Sequence, residues 1–172
     1  LVFYEQNEPS NRREAQLTVD PGNVAVIDDS LRTLFGISNL GGAIHFITPT
    51  EEPLIITGRT FDQQAAGTYG QFIQAVAPVE ATGVNDRALE IQQLEQSDRY
   101  RTNLGLAEVT GHGAEVELTG IVPGSTIAPK LRVTLEPNEF TQLNGVLQQM
   151  GLGTSYNARL SVKVIGGEGR VS

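Results

Sequence analysis

Three groups of residues in this chain have the types and spacing to do chemistry. Asp28-Asp29-Ser30 puts two carboxylates beside a hydroxyl, a set that could hold Ca²⁺ or divide acid and base roles. His45 and His112 supply the imidazoles. Gly151-Leu152-Gly153 and Gly166-Gly167-Glu168-Gly169 are short glycine clusters of a kind that lets backbone approach phosphate. Each group has a plainer explanation. The carboxylates lack the D-x-D-x-D spacing of a calcium loop and stand just before an apolar stripe, so helix capping accounts for them. His45, between Ile44 and Phe46 on a strand, faces away from both, as an exposed or satisfied sheet histidine does. His112, between Gly111 and Gly113, falls at a hairpin tip, and two imidazoles so far apart form no zinc set. No G-x-S-x-G elbow exists, and neither glycine cluster completes a phosphate loop. They read as a helix stop and a hairpin turn. No catalytic residue, metal or cofactor is expected.

Recognition is better served. Gly67-Thr68-Tyr69-Gly70-Gln71-Phe72-Ile73 sets aromatic side chains among glycines, and Tyr69, Gln71 and Phe72 form the candidate recognition loop. The alternative is a glycine-bent strand that sends Phe72 and Ile73 to the core. The absence of Trp weakens a sugar-stacking role. Arg59 and Arg101 are lone cations in apolar strands, each expected to pair with a carboxylate across its sheet.

Composition narrows the classes. The 172 residues carry a formal charge of −8 and no basic cluster beyond Arg12-Arg13 and Arg99/Arg101, which removes the electrostatic basis for a nucleic-acid partner. With no cysteine there is no disulfide framework, thiolate nucleophile or thiolate metal site. No apolar run is long enough to span a membrane as a helix. Nineteen glycines and few charges favour short strands with tight turns over long helices.

The elements that position these residues follow a repeat. Leu17-Thr18-Val19-Asp20-Pro21 recurs 116 positions later as Val133-Thr134-Leu135-Glu136-Pro137. Ile27-Asp28, Leu31 and Leu34 recur as Leu143-Asn144, Leu147 and Met150. In the first copy this predicts a helix over Asp29–Phe35, capped by Asp28 or Asp29 and stopped by Gly36. In the second it predicts one over Val146–Met150, capped by Asn144 and stopped by Gly151. Strands are expected at Leu1–Tyr4, Gln16–Val19, Asn23–Ile27, Ala43–Thr48, Pro53–Phe61 and Gly67–Val76. Asn7–Asn11 reads as a hairpin loop, with turns at Pro21-Gly22 and Glu51-Glu52. Alternating pairs then mark strands through Leu89/Ile91, Leu104/Leu106, Val116/Leu118, Leu131/Val133/Leu135 and Leu160/Val162/Val164.

The fold class is therefore all-β: two tandem antiparallel β-sandwich-like repeats, each with one short helix. The expected domains are 1–83, lacking its first strand, and 84–172, lacking its last strands. The missing strands either lie in a longer parent chain or come from neighbouring subunits. Leu1-Val2-Phe3-Tyr4 reads as a strand already under way, as in the ordered or processed part of something longer.

The ordered motifs Asp28-Asp29-Ser30-Leu31 through Leu34-Phe35-Gly36, Gly42-Ala43-Ile44, Arg59-Thr60-Phe61 and Gly67–Ile73 resemble a mostly uncharacterised family of tandem β-sandwich modules in bacterial exported and cell-surface proteins. Arg101-Thr102-Asn103-Leu104-Gly105-Leu106 and Asn157-Ala158-Arg159-Leu160 continue that resemblance. It implies a secreted or surface location and no catalytic residue. The expected function is a non-catalytic extracellular structural module that builds or decorates a bacterial surface, with polymerisation by strand exchange. The alternative is an adhesion module for a glycan or surface protein. Expected partners are the chain itself or neighbouring domains of a longer chain, with neither nucleic acid nor a membrane span.

Overall fold

Alternating burial organises the second half of the chain. In a computed structural model, which describes residues 1–49, 54–65 and 67–172 and only the backbone of Tyr69, β8 (Ala114–Ile121) buries Ala114, Val116 and Leu118 while Glu115 and Glu117 face outward. It is a central strand of an antiparallel sheet ordered β6-β11-β8-β9, with β6 Leu89–Gln96, β9 Lys130–Leu135 and β11 Ser155–Gly167. Over the inner face lie β7 (Leu104–Ala107), β10 (Phe140–Leu143) and α2 (Val146–Gln149). Leu104, Leu106, Leu118, Leu147, Leu160 and Val162 meet there in one core. Burying each of these side chains stabilises the fold by about 1.5–3 kcal/mol.

The first half builds part of the same plan. Its sheet is ordered β2-β1-β3, with β1 Val2–Glu5, β2 Glu8–Glu14 and β3 Gly42–His45. That order reproduces β9-β8-β11 of the second half. Helix α1 (Ser30–Phe35) covers one face, and Phe3, Phe35 and Ile37 form the small core. The ring centroids of Phe3 and Phe35 are 5.7 Å apart. At the corresponding step of β8 stands Gly120, where a Cβ would meet Leu152 and Met150. One half fills the space beneath its helix from the sheet, and the other fills it from the chain that leaves the helix.

After the first core comes a hairpin, β4 (Thr57–Gln64) with β5 (Gly67–Gln74), paired antiparallel and exposed along β4. The chain is thus all-β with two short helices and several antiparallel sheets.

Several local expectations change. The loop expected at Asn7–Asn11 is only a turn, made by Asn7 in the left-handed region, and β2 begins at Glu8. Asn23–Ile27 is irregular. Its counterpart Phe140–Leu143 is a strand because β7 pairs with it, whereas no strand pairs with Asn23–Ile27 among the described residues. Gln16–Val19 is irregular as well, since the β1–β2 ladder ends at Val2↔Glu14. The β10 strand itself was not anticipated from the sequence pattern. Gly166–Gly169 is not a hairpin turn. β11 runs through Gly167, and Gly169 lies so close to β8 that a Cβ would sit 2.5 Å from the Gly113 carbonyl oxygen. The Glu51-Glu52 turn lies outside the described residues.

The halves touch. The Asn7 N–H donates to the Phe140 carbonyl at 2.9 Å. The segment leading into β6 is tied to the end of the chain, with Thr82 and Val171 exchanging backbone hydrogen bonds. Arg170 donates to the Pro78 and Ala81 carbonyls and to the Asp86 carboxylate. The Gly83 N–H, followed by Arg170, holds the Asp86 carboxyl below its ordinary range.

Candidate functional site

The β4–β5 hairpin sorts its side chains by pairing register. Arg59 faces Phe72 and Phe61 faces Gly70, so Arg59, Phe61 and Phe72 share one face. Thr60 faces Gln71, which puts Gln71 on the other. The candidate residues Gln71 and Phe72 therefore point to opposite sides of the ribbon. The side chain of Tyr69 lies outside the described residues. Phe61 and Phe72 are more than half exposed, and Ile73 is exposed too, so the alternative that sends Phe72 and Ile73 into a core is not met.

Among the described residues, Arg59 pairs with no carboxylate. Its guanidinium lies over the Phe61 ring, 4.9 Å from the centroid, a cation–π contact worth roughly 0.5–1 kcal/mol at an exposed site. Gly70 lets the two strands approach closely, since a Cβ there would meet the Thr60 carbonyl oxygen and come within 2.9 Å of the Phe61 Cβ. Arg59 and Phe61 are the members that sequence reasoning missed. The signal was available in the even spacing of Arg59 and Phe61, but the partner strand had to be placed first. Arg101 likewise makes no ion pair among the described residues; its stem packs beside Gly145.

The carboxylates at the helix start behave differently from a capping pair. Asp29 occupies the N-cap position of α1 with φ 49°, in the left-handed region, and its side chain caps no N–H. It pairs with Arg32 at 2.9 Å instead. A side-chain cap needs extended backbone at that position, and a left-handed residue turns its carboxylate away. Gly145 has the same conformation before α2, φ 61°, so Asn144 is not that helix's cap either. There the start is held from outside: the Gly145 N–H donates to Asn103 Oδ1 at 3.0 Å and the Val146 N–H to the Thr102 carbonyl at 2.9 Å.

His45 is neither solvent-facing nor satisfied. It packs against Tyr4, ring centroids 4.7 Å apart, with a buried Nε2 that has no hydrogen-bond partner among the described residues. Burial pushes its pKa below 6.5, with nearby Glu108 pulling the other way. His112 is exposed at the β7–β8 connection, as its glycine neighbours imply.

Glu108 is a buried charged group that the sequence did not single out. It is fully buried. Its oxygens accept from the N–H groups of Thr110, Gly111, Asn138 and Arg170, and from the Thr110 hydroxyl at 2.6 Å. Burial alone would raise its pKa, but these hydrogen bonds outweigh it and hold the carboxyl below 4.5. So many donors leave the oxygens committed, which suits a structural pin better than a general base.

No family model, curated protein or solved structure matches this chain. Its chemistry must be read from the residues. Two shallow depressions among the described residues bear on this. One, of about 340 Å³, is lined by Glu95, Ser97, Asp98, Arg99, Tyr100, Thr154 and Tyr156. The other, of about 270 Å³, has mainly apolar walls around Met150 and Leu152. In the first, the Ser97 hydroxyl donates to Glu95 and accepts the Arg99 and Tyr100 N–H groups, the pattern of a turn and not of an activated nucleophile. Among the described residues, no three metal-ligating side chains converge, and no helix is long and apolar enough to cross a membrane.

Proposed function

We propose that this chain is a non-catalytic structural module of a bacterial surface, one that assembles with like modules through unpaired strand edges. The observation that carries this reading is the half-built state of the first repeat. It keeps the helix and three of the four sheet strands of the second, but β3 has one unpaired edge among the described residues. Val24 and Val26 beside the helix are 87% and 83% exposed. Unpaired edges next to apolar side chains invite strand addition. The bacterial, exported location rests on the sequence resemblance alone. Electron microscopy and light scattering of native material test the reading. Ordered assemblies are expected, and a monodisperse monomer would overturn it.

A second reading, adhesion to a glycan or surface protein, draws on the Arg59–Phe61–Phe72 face of the hairpin. A glycan array or pull-down comparing wild type with Phe72→Ser separates the two. Retention by wild type alone favours adhesion.

A further inference from the structure

The second half displays what completes a repeat. β6 pairs with the outer edge of β11, and β7 pairs with β10. The lead-in to β7 also supplies Thr102 and Asn103 to the first two N–H groups of α2. In the first half the same positions stand open: the outer edge of β3, the irregular segment Val24–Ile27, and the N–H groups of Asp29 and Ser30, which have no partner among the described residues.

We infer that the first half is a receptor for a strand pair of the β6–β7 type, chemically like Leu89–Ala107, carried by a further repeat unit. This rests on the structural reading above and names its partner. The incoming first strand extends the sheet beyond β3, and the second pairs antiparallel with Val24–Ile27. The residue equivalent to Asn103 accepts the Asp29 N–H, and the carbonyl equivalent to Thr102 accepts the Ser30 N–H.

Two observations support that register independently of the open edge. Asp29 already holds the left-handed backbone that Gly145 has when Asn103 binds it, although a non-glycine residue is disfavoured there. Charge agrees as well. The Arg101 stem passes within 3.6 Å of where a Gly145 side chain would begin, and the first half has the Asp29 carboxylate at that place. An arriving arginine would therefore meet a carboxylate that the second half lacks. The donor is not Leu89–Ala107 of the same chain. Withdrawing it would strip Leu104 and Leu106 from the larger core.

The test uses the whole chain, ¹⁵N-labelled, with an unlabelled synthetic peptide of the Arg87–Val109 sequence. Amide exchange at Val24–Ser30 and Gly42–His45 should slow at least ~10-fold on saturation. Signals of residues 89–107 should stay unchanged. An Asn103→Ala peptide should bind ~10-fold more weakly, and an Asp29→Asn chain should bind wild-type peptide more weakly and with less salt dependence. Absence of binding overturns the inference, as does protection confined to the peptide's own site in the second half, or equal binding by a scrambled peptide. Its failure is separable from that of the functional reading. Native material that assembles without peptide binding sinks only the receptor. Peptide binding by a chain whose native form is a monodisperse monomer sinks only the assembly role.

Discussion

The two halves of this molecule start from related sequence and reach different degrees of completion. In the second, six strands and a helix enclose a core whose Val116, Leu118, Val146, Leu147, Leu160 and Val164 have no exposed surface. In the first, strands β1–β3 and a helix gather a buried cluster of only Phe3, Phe35 and Ile37 among the described residues, and Val24, Val26, Phe61 and Phe72 face water. The difference lies in partners more than in residues. Val24–Ile27 is as apolar as Phe140–Leu143, but the latter has β7 against it. A strand is a cooperative property of a pair, so apolar pattern without a neighbour leaves backbone hydrated and irregular.

The comparison can be broken most forcefully in the larger core. Leu118→Ala should lower the stability of the second half by about 2–5 kcal/mol, measured by denaturant unfolding, because the closed packing cannot collapse around the void. A loss no greater than that of an exposed substitution would mean the second half is not the better-packed one.

Next in size is Glu108→Gln, which should cost about 2–4 kcal/mol, since an amide cannot receive all five donors. The wild-type pH profile should carry the same signature. Glu108 titrates below 4.5 when folded. Its contribution is therefore complete above the unfolded carboxyl value and fades as pH falls through the folded one. An acid limb identical in Glu108→Gln would remove this pin from the account.

His45 supplies a smaller and separate effect in the first half. Its folded pKa lies below 6.5, so just under that pH the unfolded chain binds the extra proton and stability falls as pH drops. His45→Phe should flatten this limb, and NMR titration of the ring should place its midpoint under 6.5. A midpoint above it would contradict the buried placement.

The smallest effects sharpen the contrast best. Val26→Ser in the free chain should change stability by no more than about 0.5 kcal/mol, while Leu143→Ser, in a paired and partly buried strand, should cost clearly more. Equal costs would mean that Val24–Ile27 is paired after all.

Much of the fold was legible in the residues. Period-two alternation marked β7, β8, β9 and β11 because one face of each meets an apolar core and the other meets water. The repeat located both helices, and Gly36 and Gly151 marked their ends because left-handed backbone favours glycine. The candidate site was half legible. Phe72 was found by its glycine-rich setting, but Arg59 and Phe61 joined it only once pairing register set all three on one face. Asp29 was misread as a side-chain cap because its type is right and its backbone is wrong.

What the sequence by itself determined was the all-β class, the two short helices with the glycines that follow them, and the strands whose apolar residues alternate. Those follow from periodicity and backbone preference, which act over a few neighbouring residues. Tertiary structure alone decided which segments became paired strands, that Asn103 rather than Asn144 starts α2, and that Glu108 joins residues from three parts of the chain. Such contacts depend on distant groups arriving within hydrogen-bond range, and no local pattern encodes that arrival.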